Sequence, residues 1–221
     1  IVVDNFSNDD SIEKIQAAVD DNGWNDWARI VESPVNGGFC MGNNLGMASE
    51  RAEYYLLLNS DAMVLPGAID TLLGEMDRDG EAGLVGPRLQ WPDGEPQISC
   101  FRYRSPMSEF LSAAKTGPLD RMFSNSVVAL GVFEIAMEPE WLSFACVLIR
   151  GKARDQIGGM DEGFFLYFDD IDYCKRAHRA GWKVVHAPDA RTIHLRGGTA
   201  SLKKDTVARR RLPRYIYESR A

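Results

Sequence analysis

The apolar run Tyr54-Tyr55-Leu56-Leu57-Leu58 stops abruptly at Asn59-Ser60-Asp61. Nothing in the run alternates with a polar residue. That is the pattern of a strand covered on both faces, as in the middle of a parallel sheet. A chain built around such a strand must supply helices for both faces, and the residues on either side do so. In open sheets of this kind, ligands bind beyond the carboxyl ends of the strands. Asp61 therefore falls where a metal or phosphate ligand is expected.

Ile1–Val3 reads as a short strand ending at Asp4-Asn5. Asp10 and Glu13 have capping-box spacing. Ile12, Ile15, Ala18 and Val19 share one helical face, which ends near Asn22-Gly23. A strand over Ala28–Val31 follows, then a loop at Asn36-Gly37-Gly38. Met41, Leu45, Ala48 and Ala52 recur at helical spacing. After the Tyr54–Leu58 strand, Pro66 fits the first turn of a helix whose Ile69, Leu72, Leu73 and Met76 face inward. Gly83–Pro87 is again strand-like. This β-α-β-α-β-α-β rhythm predicts a doubly wound sheet with right-handed crossovers.

Beyond it, Pro92-Asp93-Gly94 marks a turn between two short strands. Trp141–Ile149 reads as a second buried strand. Asp169–Ala180 reads as a helix stopped by Gly181, with Lys183–Ala187 and Arg191–Leu195 as strands. Tyr103–Asn125 lacks periodicity and is broken by Pro106, Gly117 and Pro118, so it reads as a mobile or substrate-facing segment. The second half does not repeat the first, which favours one domain with an elaborated acceptor side.

With 221 residues, the chain can bury a core without staples, and its net charge of -7 argues against a nucleic-acid partner. The exception to the acidic balance is the tail, where Lys203, Lys204, Arg209, Arg210, Arg211 and Arg214 gather. These form either a solvated helix face or a patch drawn to an anionic membrane or acceptor. Cys40, Cys100, Cys146 and Cys174 include no C-x-x-C pair and have no histidine at ligand spacing. The expectation is a reduced, cytosolic chain without zinc or disulfides. No stretch is apolar enough to span a bilayer, and no signal peptide is evident. Ile1-Val2-Val3-Asp4 looks like a mid-domain strand, so an earlier strand is expected to precede it.

Three constellations can carry chemistry. A lone Asp61 after a strand often only caps the next turn. A hard divalent cation, however, keeps several waters and can be held by one carboxylate plus substrate phosphates. Asp169, Asp170 and Asp172 suit the first turn of a helix. Three acids in four residues exceed what capping needs, and crowding of like charges suits one of them to general-base work. The preceding Gly163-Phe-Phe-Leu-Tyr-Phe168 offers an apolar wall and a hinge. His194 is either structural or, with Arg196-Gly197-Gly198 behind it, part of a metal or diphosphate site. The Gly37-Gly38 and Gly42-Asn43-Asn44 segment is neither G-x-G-x-x-G nor a P-loop, and Asn43 and Asn44 also suit helix capping.

Taken together, seven segments resemble family 2 glycosyltransferases of the GT-A fold, most closely the bacterial rhamnosyltransferase-like branch. They are Asn36-Gly-Gly-Phe-Cys-Met-Gly-Asn-Asn-Leu-Gly46, Leu57-Leu-Asn-Ser-Asp61, Pro66-Gly67, Val85-Gly-Pro-Arg-Leu89, Gly158-Gly-Met-Asp-Glu162, Phe165-Leu-Tyr-Phe-Asp-Asp-Ile-Asp172 and His194-Leu-Arg-Gly-Gly198. The likeness runs from Ile1 to about Ser201.

This resemblance implies a single GT-A domain over 1–201, an α/β fold with a Rossmann-like, mostly parallel central sheet flanked by helices and a small mixed acceptor-side elaboration. Residues 1–90 would form the nucleotide-sugar-binding half and 91–201 the acceptor and catalytic half, with a basic helical tail at 202–221. It also implies an inverting transfer from dTDP-rhamnose or a UDP-sugar to a glycan or lipid-linked acceptor, for cell-surface polysaccharide synthesis. The transfer would depend on Mg2+ or Mn2+. By position, Asp170 would be the base. Asp4, Asn44, Asp61 and Arg88 would bind the donor, and Trp141, Asp169 and Asp172 would lie on the acceptor side. Asp61 and His194 would hold the metal. The protein would be cytoplasmic, with peripheral contact to the inner membrane as the tail's alternative role.

The chain departs from the family pattern where Asn59 replaces the first acid of D-x-D and Asp169 stands where Glu is usual. The competing class is a GT-A-like module that binds a nucleotide sugar without turnover. A nucleotidyltransferase would want a glycine-rich basic phosphate loop at the start, which this sequence does not show.

Overall fold

The computed structural model describes residues 1–106, 108 and 128–196. The basic tail at 202–221, Gly197-Gly198 and most of Tyr103–Asn125 lie outside the described residues. The chain divides into two compact units. Of the described residues, the first contains Ile1–Glu53 and Gly158–Asp169, and the second contains Tyr54–Ile157 and residues 170–196.

In the first unit, β1 (Val2–Asp4) and β2 (Ile30–Glu32) pair in parallel, Val2 opposite Ile30 and Asp4 opposite Glu32. Helix α1 (Ser11–Asp21) is the crossover between them. This is the βαβ unit expected from the sequence, with β2 displaced two residues toward the carboxyl end. Helix α2 (Gly38–Ser49) starts earlier than its apolar spacing suggested, because Gly38 opens it in the left-handed region at φ 76°. A Cβ on Gly38 would lie 2.1 Å from the carbonyl oxygen of Phe165. Only glycine fits that approach, and the Phe39 N–H uses it by donating to the same oxygen at 2.8 Å.

In the second unit, β3 (Tyr54–Leu58), β4 (Ala62–Val64), β5 (Ala82–Gln90), β8 (Cys146–Arg150) and β9 (Lys183–His194) form one sheet in the order β3-β8-β5-β9-β4. The sheet is mixed. β5 and β9 run parallel, while β3–β8, β5–β8 and β4–β9 are antiparallel. Helices α3 (Ala68–Arg78), α4 (Gly151–Ile157) and α5 (Asp169–Arg179, beginning at the last residue of the first unit) also belong to the described residues. Leu72 and Met76 of α3 are fully buried against Val85, Leu148, Val185 and Ala187. Complete burial of such a side chain contributes about 1.5–3 kcal/mol.

Several elements differ from the sequence reading. β3, read as a doubly covered strand in the middle of a parallel sheet, stands at the end of the sheet, runs antiparallel to β8 and leaves Leu58 exposed. Trp141–Ile149 is not one strand. β7 (Trp141–Leu142) pairs with β6 (Cys100–Phe101), and β8 pairs with β3 and β5. The chain changes partner at Ser143, whose N–H donates to Ser99 O at 2.9 Å. Conversely, Lys183–Ala187 and Arg191–Leu195 are parts of a single strand, β9. It carries Pro188 through a register shift against β5, the kind of irregularity where proline is tolerated.

Strand order has a consequence for Asp61. β3 and β4 stand at opposite ends of the sheet, yet only Asn59-Ser60-Asp61 separates them. A fully extended link from Leu58 to Ala62 reaches at most about 14 Å, whereas four strand spacings in a flat sheet need about 19 Å. The turn is tighter still, because Ala62 N–H donates to Asn59 O at 3.0 Å. The sheet must therefore curl, bringing the end of β3 toward the end of β9. Leu89, Cys146, Leu56 and Val64, from four different strands, pack together inside that curl.

Candidate active site

β4 and β9 pair with Ala62 opposite His194, and Leu195 N–H donates to Asp61 O at 2.9 Å. This register sets His194 Nε2 3.4 Å from Asp61 Oδ1, with side chains 12% and 25% exposed. A carboxylate and an imidazole nitrogen thus meet in a partly covered position at the carboxyl end of β3. Mg2+ and Mn2+ favour oxygen ligands, and imidazole also suits transition metals, so this donor pair fits Mn2+ at least as well as Mg2+. Among the described residues, no group of three or more His, Cys, Asp or Glu could hold a metal by itself. A cation here would complete its shell with phosphate oxygens and water, the usual arrangement at nucleotide sites.

Further side chains hold the backbone at His194 and beyond it. Gln97, 5% exposed, donates from Nε2 to His194 O at 2.7 Å. Its Oε1 accepts from Arg196 Nε at 2.7 Å. The guanidinium of Arg196 also donates to Ile98 O at 3.3 Å and lies 5.7 Å from the centre of the Trp91 ring. Burial lowers the Arg196 pKa from its ordinary value, but an arginine keeps its charge in proteins. Sequence reasoning missed Gln97: a glutamine two residues after a turn carries no signal of a partner 97 positions away.

The remaining candidate residues have their own surroundings. In the second unit, Asp170 Oδ1 accepts from the Ile171 N–H at 2.9 Å in the first turn of α5. Asp172 pairs with Arg176 Nε at 2.7 Å along the same helix. Arg88 of β5 has a buried Nε without a hydrogen-bond partner among the described residues. Trp141 stacks on Phe101 with centroids 4.1 Å apart, and its Nε1 donates to Arg102 O at 2.9 Å. Nearby, the Glu140 carboxylate accepts from the Tyr103 N–H, and Glu140 O meets His178 Nε2 at 3.0 Å. Burial raises the Tyr103 pKa well above the ordinary phenol range.

In the first unit, Asp4 is 7% exposed, and its Oδ2 accepts from Ser7 N–H at 3.0 Å. Asp169 is also buried. Asn44 uses its whole amide on the Gly158–Glu162 loop. Its Nδ2 donates to Met160 O and Glu162 Oε1, both at 2.9 Å, and its Oδ1 accepts from Met160 N–H at 2.8 Å. Beyond this loop, Tyr167 and Phe168 both take positive φ, 69° and 66°. Such conformations are strained for aromatic residues and persist only where the surroundings enforce them. They lead directly into Asp169-Asp170.

The family model described as "Glycosyl transferase family 2" matches residues 1–129, and a second, "Glycosyltransferase like family 2", matches 141–215. The chain belongs to glycosyltransferase family 2. Over 147 residues, 64% of the chain, it is 31% identical to the N-acetylglucosaminyl-diphospho-decaprenol L-rhamnosyltransferase of Mycobacterium tuberculosis, covering 47% of that protein. Over 77 residues, 35% of the chain, it is 29% identical to the Escherichia coli rhamnosyltransferase WbbL, covering 25% of it. The chain thus spans about half the length of the mycobacterial relative, or less for the other.

Among solved structures, GalNAc-T7 with UDP, GalNAc and Mn2+ aligns with a TM-score of 0.63 at 13% identity, covering 87% of this chain and 37% of that one. The Pyrobaculum calidifontis mannosyltransferase PcManGT in complex with GDP-Man and Mn2+ aligns with a TM-score of 0.58 at 14% identity, covering 97% and 56%. These likenesses identify the fold as GT-A, as the sequence motifs implied.

Proposed function

We propose that the chain is the catalytic domain of an inverting glycosyltransferase. It would move a sugar from a nucleoside-diphosphate donor to a hydroxyl of a glycan or lipid-linked acceptor, in the synthesis of a cell-surface polysaccharide. The observation that carries this reading is the meeting of Asp61 and His194 at 3.4 Å, produced by the β4–β9 register at the end of β3. The named rhamnosyltransferase relatives support dTDP-rhamnose as the donor, with a UDP-sugar as the alternative. The Mn2+ complexes of two fold neighbours support a divalent cation.

Asp61 and His194 would hold Mg2+ or Mn2+. When bound, the cation supplies charge neutralisation for the departing nucleoside diphosphate. Asp170 takes the proton of the acceptor hydroxyl as that oxygen bonds to the anomeric carbon and the bond from carbon to the phosphate oxygen breaks. One displacement of this kind inverts the stereocentre and needs no covalent intermediate. The hydrogen bond from Ile171 N–H fixes the orientation of the Asp170 carboxylate. Asp4 and Arg88 are assigned to the donor, and Asn44, whose amide is spent on the Gly158–Glu162 loop, would support the donor site through that loop. The Phe101–Trp141 stack presents a flat apolar surface suited to an acceptor sugar, with Asp169 and Asp172 on the acceptor side.

A thermal-shift screen of nucleotide sugars, with and without Mn2+ or Mg2+, tests this function. Binding raises apparent stability by mass action, so dTDP-rhamnose or a UDP-sugar should raise Tm, and more so with the cation. Absence of any shift across the nucleotide-sugar panel would overturn the reading.

A further inference from the structure

We propose that Gln97 is a positioning residue. It ties the backbone of His194 to the guanidinium of Arg196, so that Asp61, His194 and Arg196 form one preorganised receptor for a cation-bound diphosphate. The inference rests on the glycosyltransferase reading and adds Gln97, which the sequence motifs do not assign.

Both ends of a single amide are committed. Nε2 serves the His194 carbonyl and Oε1 serves Arg196 Nε, each at 2.7 Å. Gln97 is itself anchored, because its backbone N–H donates to Leu89 O of β5 at 2.8 Å. It is also nearly fully buried, so water cannot readily replace either bond. The amide therefore fixes the separation between the imidazole-bearing residue and the guanidinium that follows it by two positions.

Arg196 needs such a hold. It lies in the left-handed region at φ 53°, which a non-glycine residue keeps only when neighbours determine its place. Three groups do so: Gln97 Oε1, Ile98 O and the face of Trp91. All three come from the segment just after β5, where the turn is closed by Trp91 N–H to Glu95 O at 2.8 Å and Gly94 N–H to Trp91 O at 2.9 Å. Among the described residues these hydrogen bonds use Nε and Nη2, and none uses Nη1. A guanidinium offers the planar donor fork that matches phosphate oxygens. With Arg196 two residues after His194, whose imidazole meets the Asp61 carboxylate, the arrangement selects an anion that brings several oxygens. A diphosphate has that chemistry.

The test is a double-mutant cycle on the full chain, read by calorimetry with inorganic pyrophosphate in the presence of Mn2+, alongside Mn2+ alone by electron paramagnetic resonance. Gln97→Met and Arg196→Met should each weaken pyrophosphate binding about tenfold, and Arg196→Met should leave Mn2+ alone within about twofold, since Arg196 neither supplies a metal ligand nor holds one. The double variant should be little weaker than either single one, because both changes remove the same arm. Independent, multiplying effects, or unchanged pyrophosphate affinity in Gln97→Met, would overturn the proposal. Should Gln97→Met fail to fold, Gln97→Glu replaces it. That variant places an anion against the guanidinium and should weaken pyrophosphate binding at least as much, and unchanged affinity again overturns the proposal. If the wild-type chain binds Mn2+ but not pyrophosphate with Mn2+, the glycosyltransferase reading itself fails and this inference falls with it.

Discussion

In the second unit, Asp61 and His194 meet because β4 and β9 pair in one register, and backbone hydrogen bonds set the distance between them. In the first unit, the Gly158–Glu162 loop is held by the side-chain amide of Asn44, and Phe165 by the opening turn of α2. The two devices fail differently. A ladder between backbones tolerates most side-chain changes on its exposed face. A clamp made from one amide loses all of its bonds to one substitution and leaves polar groups of the loop unpaired. The same contrast separates the parts of the second unit itself, where one side-chain amide, that of Gln97, bridges the His194 carbonyl and the Arg196 guanidinium.

Several measurements would break or sharpen this contrast. The largest effect is expected at the ladder's functional end. Asp61→Ala should reduce turnover about a thousandfold, equivalent to the several kcal/mol a cation supplies to a leaving phosphate, with little change in Tm. Asp170→Asn should reduce turnover about 10²–10⁴-fold while the affinity for the nucleoside diphosphate, measured by calorimetry, stays within about twofold, because that variant removes only proton transfer. In the first unit, Asn44→Ala should cost about 1–3 kcal/mol in denaturant unfolding, since it strands the Met160 N–H and C=O.

A pH effect comes next. His186 is 3% exposed, and burial pushes its pKa down from 6.5 against the hydrogen bonds it makes to the backbone of Gly86 and Phe133. The unfolded chain therefore binds the extra proton first. Stability is full above about pH 6.5 and falls as pH drops toward the depressed folded value, by at most about 1.4 kcal/mol per pH unit. His186→Gln should flatten that part of the stability curve. The smallest change belongs to the ladder's exposed face: Met63→Ala on β4 should shift stability by no more than about 0.5 kcal/mol. A Met63 effect as large as that of Asn44 would erase the distinction between the two devices.

The sequence made the β3 strand and the position of Asp61 legible, because five consecutive apolar residues ending in a polar turn leave few alternatives. Helix α3 was readable in its existence and in Leu72 and Met76, which are buried in the core, but Ile69, expected to face inward, is exposed. β4 was not legible, as three residues carry no period, and its partner lies far along the chain. The division of Trp141–Ile149 was hidden for a related reason. Apolar residues on both sides of Ser143 read as one run, and only pairing to β6 on one side and β3 on the other reveals the break. Asp61 and His194 could be named from motifs, but their adjacency depends on the sheet curling, which follows from strand order. Gln97 was invisible, because its importance lies entirely in contacts made across about a hundred residues of chain.

The central claim is that Asp61 and His194 share a divalent cation that carries the donor's diphosphate. Anomalous diffraction from crystals grown with Mn2+ and a nucleoside diphosphate tests it most directly. The account predicts one Mn2+ peak within coordination distance of Asp61 Oδ1 and His194 Nε2, bridged to the diphosphate oxygens. A cation bound to the diphosphate away from both side chains would contradict it.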